Sequence, residues 1–476
     1  MIKLSAWKKV CAIFLLCAAT VIACPAQVFK TLAHFDGANG ASPAYVVLAQ
    51  GTDGGLYGTT IRGGANGDYG TIFRIGPKRS LTTIYNFCDQ PGCVDGGYLI
   101  PGLALASDGN FYGSTDLYGL NQFGTIFKIS AKGALTTLFD FQVGGGDQPD
   151  GPLLEAGDGN FYGTTQQGGV NNLGIVFMIT PDGTLTTLHN FDSTDGALPE
   201  AGLVLAADGN FYGTTLFGGR RYQSCGSIGC GTVFRMRPNG TVTTVYRFCG
   251  QANCVDGAYA SSLMLATDGN LYGTTSLGGA ENHGSVFTID PTGALTTLHS
   301  FEGTDGSSPY GVLVQGTDGN FYGVTYEGGH DDSGTVFSMT PAGVLTTLHE
   351  FCTSRPCMDG GSPIGGLAQA TDGKFYGTTS GNSTLNDGTI FSLDMGLGPF
   401  VTFVRPYGKV GQTGGILGQG FTGTTSVSLN RIPASFTVVS DTFIRATVPQ
   451  GATTGYVTVT TPSATLTSNV PFHVIK

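Results

Sequence analysis

The segment Asp208-Gly209-Asn210-Phe211-Tyr212-Gly213-Thr214-Thr215 decides the fold, because it returns with few changes along the chain. Its first residue stands at Asp53, Asp108, Asp158, Asp208, Asp268, Asp318 and Asp372, in steps of 55, 50, 50, 60, 50 and 54 residues. Self-similarity at a period near 50 is the signature of a repeat architecture. A second motif, Gly-Thr-Val/Ile-Phe, starts with variations at Gly70, Gly124, Gly174, Gly231, Gly284, Gly334 and Gly388. A third, of the form Leu-Thr-Thr-Leu-His-x-Phe, starts at Leu81, Leu135, Leu185, Val242, Leu295 and Leu345. It is one copy short, and Val28 to Phe35 (VFKTLAHF) supplies the seventh at the other end of the chain.

Within one unit the residues alternate or run apolar over four to seven positions, with Gly, Asn, Asp and Pro between the runs. In the fourth unit this predicts strands at Ala201 to Ala206, Asn210 to Thr215, Thr232 to Met236 and Val242 to Phe248. Asp208-Gly209 and Pro238-Asn239-Gly240 are tight-turn chemistry. No segment carries a capped 3.6-residue period. The reading is an all-β chain whose residues 28–394 form a seven-bladed β-propeller, with strand 28–35 closing the last blade and removing its exposed edge.

The rest of the composition agrees. The chain has 476 residues, 78 of them Gly, with 40% hydrophobic and 12% charged residues, so a packed core is expected. The net charge is −11, and setting aside Lys3, Lys8 and Lys9 of residues 1–26 leaves −14. That balance argues against nucleic acid or anionic lipid as a partner. Residues 1–26 read as a signal peptide, with a basic start and an apolar run from Val10 to Ala23 too short for a membrane span. Two cleavage readings stay open. Cys24-Pro25-Ala26 suits cutting after Ala26, whereas Val21-Ile22-Ala23-Cys24 fits a relaxed lipobox and leaves Cys24 as a lipid anchor.

Cys11, Cys17 and Cys24 belong to the leader. The other eight cysteines form four C-x4-C pairs: Cys88 with Cys93, Cys225 with Cys230, Cys249 with Cys254, and Cys352 with Cys357. In an exported chain such spacing reads as local disulfides, each worth about 2 kcal/mol on the loop-entropy model. Zinc is the alternative, against which stands the lack of a His or second Cys pair at ligand spacing nearby.

In a four-stranded blade the first–second and third–fourth turns share one face, and the longer connections share the other. All four cysteine pairs fall in the longer connections. Variable loops on a rigid scaffold carry function, so that loop face is the candidate binding surface, with Gln166, Gln167, Arg220, Arg221, Tyr222, Tyr326, Glu327, His330, Asp331 and Asp332 as its candidate residues. Pinning long loops against proteolysis is the other use of such disulfides.

Other recurrent residues read as structure. Leu48, Leu103, Leu153, Leu203, Leu263, Leu313 and Leu367 are core. The repeated Tyr57, Tyr112, Tyr162, Tyr212, Tyr272, Tyr322 and Tyr376 are blade-packing residues rather than sugar platforms, and the Asp-Gly turns are hairpin chemistry rather than calcium loops. His34, His189, His299 and His349 are assigned to one half-buried slot, filled elsewhere by Tyr85, Phe139 and Tyr246. Three before each repeat Asp stand Gln50, Leu105, Glu155, Leu205, Leu265, Gln315 and Gln369, expected near the channel. Trp7, in the leader, is the single Trp, which disfavours Trp-docking propellers. No catalytic motif, metal set or cofactor fingerprint is present.

From about Pro399 the repeat stops. Seven short alternating segments between Val401 and Ile475 predict a small β-sandwich over 399–476.

The units resemble the GloVer-type tandem repeat of bacterial choice-of-anchor proteins, through D-G-N-F-Y-G-T-T, G-T-V-F and L-T-T-L-H-x-F over residues 28–394. The end resembles an IPT/TIG immunoglobulin-like domain through Gly418-Gln419-Gly420-Phe421, Asp441-Thr442-Phe443-Ile444, Val448-Pro449 and Gly455-Tyr456-Val457-Thr458-Val459. These resemblances imply an extracytoplasmic surface protein and bring no catalytic residues. The expected function is non-enzymatic binding of a glycan or protein. A polysaccharide lyase or hydrolase using Glu155, and a structural envelope scaffold, are the alternatives.

Overall fold

The computed structural model describes residues 27–76, 80–220, 225, 228–381 and 387–475. Residues 1–26, expected to be a signal peptide, with Cys24, and also Arg221 and Tyr222, lie outside the described residues.

The chain is all-β, with only short 3-10 turns such as Pro91–Cys93 and Ala252–Cys254 among the described residues. Residues 28–394 form four-stranded antiparallel sheets in a repeated, propeller-like pattern. The fourth unit pairs Val204–Leu205, Phe211–Thr215, Thr232–Met236 and Val242–Arg247 in chain order. The last sheet pairs Ala368–Gln369, Phe375–Thr379 and Thr389–Asp394 with Val28–His34, in a register running from Val28 opposite Asp394 to His34 opposite Thr389.

The innermost strand is shorter than the sequence pattern suggests, two residues in six sheets and eight in Ala258–Leu265. Gly and Pro explain much of the difference. Ala258–Leu265 contains neither, whereas Pro199 and Gly202 precede Val204–Leu205 and bend the chain out of the ladder.

Packing between sheets uses the repeated motif. Gly213 faces Phe234 across the sheet. A Cβ there would lie 2.5 Å from the Phe234 ring, so the position must be Gly for the ring to lie flat over the backbone. Phe73, Phe127, Phe177, Phe234, Phe287, Phe337 and Phe391 are all fully buried in this way. The motif Tyr reaches the next sheet: Tyr112 stacks on Phe161 at 4.0 Å and Tyr322 on Phe375 at 4.0 Å. The Tyr hydroxyl donates to the motif Asp, as Tyr212 does to Asp208 at 3.1 Å, while the other Asp oxygen accepts the Asn210 N–H at 2.9 Å. Gly209, at φ +79, completes the turn. The tyrosines are packing residues and the aspartates turn residues.

The series of cores closes on itself. One cluster joins Phe35, Ile390 and Ala370 of the last sheet to Val46, Leu48 and Phe73 of the first.

The polar residues three before the motif Asp staple neighbouring units. Gln315 accepts the Thr267 N–H at 2.9 Å, Gln369 that of Thr317 at 3.1 Å, Glu155 that of Ser107 at 2.8 Å, and Gln50 that of Thr371 at 3.0 Å. Where this position is Leu105, Leu205 or Leu265, the facing residue is Thr52, Gly157 or Ala207.

The half-buried slot on the outer strand anchors the following loop. Tyr85–Asp95 (2.8 Å), His189–Asp195 (2.7 Å), Tyr246–Asp256 (2.7 Å), His299–Asp305 (2.7 Å) and His349–Asp359 (2.9 Å) are one interaction repeated. The register corrects one assignment. Ala33 lies opposite Ile390 as His189 lies opposite Val176, so Ala33 fills the slot and His34 lies one residue on, opposite Thr389. The cause is a missing residue, since His34 is adjacent to Phe35 whereas Asn190 separates His189 from Phe191. The loop partners follow suit. Asn39 stands where the others have Asp, and Gly145 stands there in the unit of Phe139.

Residues 402–475 form two four-stranded sheets around a core of Val401, Ile416, Phe421, Ile444 and Val459, with a parallel pair, Tyr407–Lys409 and His473–Ile475, at the side. Strands Tyr407–Lys409, Ile432–Pro433 and Thr465–Thr467 add to the predicted set. Each is three residues or fewer, too short to show a period.

Candidate functional site

The C-terminal sheets cover the hairpin face of the repeat region. Thr442 Oγ1 donates to the Thr52 carbonyl at 2.8 Å, the Phe400 N–H to the Thr371 carbonyl at 3.1 Å, and Arg405 to the Ala156 carbonyl at 3.4 Å. Arg405 pairs with Glu155 at 3.6 Å, with both side chains at least nine-tenths buried. The Tyr407 hydroxyl donates to the Glu155 carbonyl. A cavity of about 670 Å³ lies inside this contact, walled by leucine, alanine and valine from the inner strands and by Val404, Pro406, Tyr407 and Pro471. Glu155, the one candidate of the lyase or hydrolase reading, thus serves in stapling and docking.

The opposite mouth, on the loop side, is where titratable groups converge. A cavity of about 290 Å³ is lined there by Tyr45, Ile100, Asp150, Glu200, Tyr310 and Ile364. Each stands eight residues before a motif Asp, so the repeat itself builds the ring. The same cavity shares Leu203 and Val204 with the one beneath the C-terminal sheets.

The residue eight after the motif Asp of one unit reaches toward the ring residue of the next. Gln166 donates to Glu200 at 2.7 Å. Burial raises the Tyr310 hydroxyl, and Ser276 opposes the rise. Asp116 is hydrogen-bonded to Asp150. These last two are 6% and 8% exposed, and the Oδ1 atom of each has no hydrogen-bond partner. Burial pushes Asp116 up to about 6, with the charge of Asp147 adding and the bond from Asp150 opposing. Burial, then Asp116 and Glu200, hold Asp150 well above the carboxylate range. Both carboxyls are thus biased toward the protonated form. Burial also raises Glu200. Burial, followed by the charge of Glu200, lifts Tyr45 to about 12.

The sequence-derived candidates divide. Gln166 enters the mouth as the partner of Glu200, and Tyr326 stands beside it, its ring 6.0 Å from Tyr310. Gln167 and Glu327 bridge to Asp147 and Ser307 through their backbones. Asp332 closes its own loop by accepting the Gly328 N–H at 2.8 Å, and the His330 N–H bonds to Glu350 at 3.0 Å. The Asp332 carboxylate is thus turned into its loop. Asp331 and Arg220 are exposed. Tyr45, Asp116, Asp150, Glu200 and Tyr310 escaped sequence reasoning. For the four ring residues the signal was a position that changes chemistry from unit to unit, eight before the motif Asp, on the far side of the inner strand from the one considered, whereas Asp116 stands eight after Asp108.

All four C-x4-C pairs are disulfide-bonded: Cys88 to Cys93, Cys225 to Cys230, Cys249 to Cys254, and Cys352 to Cys357. Their place on the loop face needs one correction. Cys357 is buried, and so are the other bonded cysteines apart from the half-buried Cys88. None of the eight lines the mouth cavity. The disulfides therefore sit beneath the loops and present no contact surface of their own. Cys357 shows how this works: its sulfur is bonded inward to Cys352, while its carbonyl accepts the Gly360 N–H at 3.3 Å and turns the loop back. Cys352 in turn donates its N–H to Asp359, the partner of His349. A small apolar cystine gains more from burial under a loop than from exposure to water.

The fold also brings two pairs together. The sulfurs of Cys225, Cys230, Cys249 and Cys254 lie within 4.8 Å of one another, all buried, with Cys225 and Cys249 3.5 Å apart. A second pair therefore does lie beside the first, in space though not in sequence.

Fold and repeat define an all-β repeat protein of propeller-like sheets. The chain belongs to the Gloeobacter/Verrucomicrobia repeat family, whose model matches residues 19–224 and again 221–428. No curated protein sequence matches it. Among solved structures it is similar to a fungal alcohol oxidase of the AA5 family in complex with copper, at 13% identity and TM-score 0.54, over 94% of this chain and 99% of that one. It is similar also to the extracellular domain of the hybrid two component system BT4673 from B. thetaiotaomicron, at 10% identity and TM-score 0.51, over 92% of this chain. The chain spans 46% of the length of that domain, and 39% of a related one. At such identities the likeness concerns the fold alone.

Proposed function

We propose that this chain is an exported, non-enzymatic binding protein. In this reading residues 28–394 are a seven-bladed β-propeller, 399–476 an IPT/TIG-like immunoglobulin-type sandwich, and 1–26 a signal peptide. The ligand is a glycan that enters the loop-face mouth. One observation carries the proposal: the C-terminal sheets occupy the hairpin face, while the opposite mouth gathers Tyr45, Tyr310, Glu200 and Asp150 around one cavity. Tyrosine faces beside carboxylates suit a pyranose ring and its hydroxyls. The disulfides hold the loops around the mouth from beneath, which lowers the ordering cost of binding. Among the described residues no helix is long and apolar enough to cross a membrane.

The test is a binding screen of cell-wall and storage polysaccharides on purified residues 27–476, with and without calcium. Saturable binding that Tyr45→Leu weakens supports the proposal. Binding that ignores Tyr45→Leu, or none to any glycan, moves the function to a protein partner or an envelope scaffold.

A further inference from the structure

We propose that the glycan taken at the loop-face mouth carries an unacetylated amino sugar, whose ammonium group is received by Asp150 and Glu200. The inference rests on the glycan-binding reading and specifies its chemistry.

The mouth is built with acceptors in excess. Asp150 is 8% exposed, lines the cavity, and leaves Oδ1 without a hydrogen-bond partner. Oδ1 of Asp116 and Oε1 of Gln148 are likewise buried and unpartnered. A buried acceptor on the cavity wall with no donor, as Asp150 Oδ1 is, is costly, since it has given up water for nothing in return. A primary ammonium supplies three N–H donors on a single atom. A neutral hydroxyl supplies one, and an acetamide one.

Charge points the same way. Asp150 and Glu200 line the cavity together with Tyr45 and Tyr310, and the charges of Asp116, Asp147 and Glu327 act on this group from nearby. No Lys, Arg or His lines the cavity among the described residues. Carboxylates gathered without a basic partner are met by protons or by a cation. The tyrosines favour an organic cation, because an ammonium next to ring faces gains a cation–π attraction that a hydroxyl does not. A bare metal ion is less well served. Among the described residues the carboxylates do not come together in threes as ligand sets, a juxtaposition that only the four cysteines reach.

The test is calorimetric titration of residues 27–476 at pH 6.5 with three trisaccharide probes: fully deacetylated chitotriose, its N-acetylated form, and cellotriose. The deacetylated probe is expected to bind at least tenfold more tightly than the other two. Glu200→Gln, which keeps volume and the partner of Gln166, and Asp150→Asn are expected to remove that preference. Circular dichroism confirms the fold of each variant. Equal binding of all three probes, still weakened by Tyr45→Leu, overturns the ammonium inference and leaves the glycan reading standing. Binding of none overturns both. A lysine amide that binds more tightly than the deacetylated probe overturns the amino-sugar assignment in favour of a protein side chain.

Discussion

Arg405 of the C-terminal sheets meets Glu155 of the repeat region at 3.6 Å, inside a contact that leaves each side chain at most about one-tenth exposed. Glu155 also accepts from the Ser107 N–H and hydroxyl, and its carbonyl accepts from Tyr407. A single carboxylate therefore staples two sheets and fixes the second module over the hairpin face. Removing one partner of a buried pair strands the other. Arg405→Ala is expected to destabilise by about 3–5 kcal/mol, whereas Arg405→Met with Glu155→Leu recovers most of the loss. Differential scanning calorimetry of the two variants beside the unaltered protein decides this.

Closure of the ring by the N-terminal strand gives a second expectation. Phe35 is fully buried in the cluster that joins the last sheet to the first, and Phe29 stacks on His349 at 3.7 Å. Phe35→Ala is expected to cost about 3–5 kcal/mol. Deleting residues 28–35 is expected to lower the thermal midpoint further, by exposing the edge of Thr389–Asp394. An unchanged circular dichroism melt for the deletion would show that closure contributes nothing.

The outer-strand slot makes a pH prediction. Burial acts to raise Asp305, but the bonds from His299 and the Glu302 N–H outweigh it and leave its carboxyl below the ordinary range. A depressed folded-state value stabilises the protein above the unfolded value of about 3.9, and that stability is lost as pH falls through the folded one. Asp305→Asn is expected to lower stability at pH 7 and to flatten the loss on acidification. Urea melts at pH 7 and pH 3 measure both effects.

At the mouth the sign reverses. Asp116 and Asp150 are raised, so the native state binds more protons than the unfolded chain above about pH 4, and stability falls as pH rises through that window. Asp150→Asn is expected to raise the thermal midpoint at pH 7.5, by about 2–4 °C for each kcal/mol recovered, with little change at pH 4. A mouth that gives up stability when empty is consistent with a site shaped for a ligand.

These residues mark where sequence reasoning reaches and where it stops. The motif Asp-Gly-Asn-Phe-Tyr-Gly is legible because each member has one local job: the Asp-Gly turn, the buried Phe, and the Gly under the facing ring. The packing role of Tyr57, Tyr112 and their equivalents is legible because a residue kept in every unit serves the unit. The bond from Cys352 to Cys357 is legible from spacing alone, but the burial of Cys357 beneath its loop is not, since spacing carries no depth. Strand register is less legible still, and His34 was misplaced by the single residue missing before Phe35. The mouth was not legible for a different reason. Asp116 and Asp150 lie 34 residues apart, in adjacent units, at repeat positions whose residue type changes from unit to unit. Only the curvature of the array sets them side by side. The meeting of Cys225 and Cys230 with Cys249 and Cys254 has the same origin.

The most direct measurement of the central claim is the affinity of the best glycan from the screen for three proteins: unaltered residues 27–476, a mouth variant carrying Tyr45→Leu and Glu200→Gln, and a hairpin-face control carrying Lys132→Ala, an exposed turn residue. The account predicts at least a tenfold loss for the mouth variant and no change for the control. Full affinity in the mouth variant would contradict it and place recognition elsewhere on the molecule.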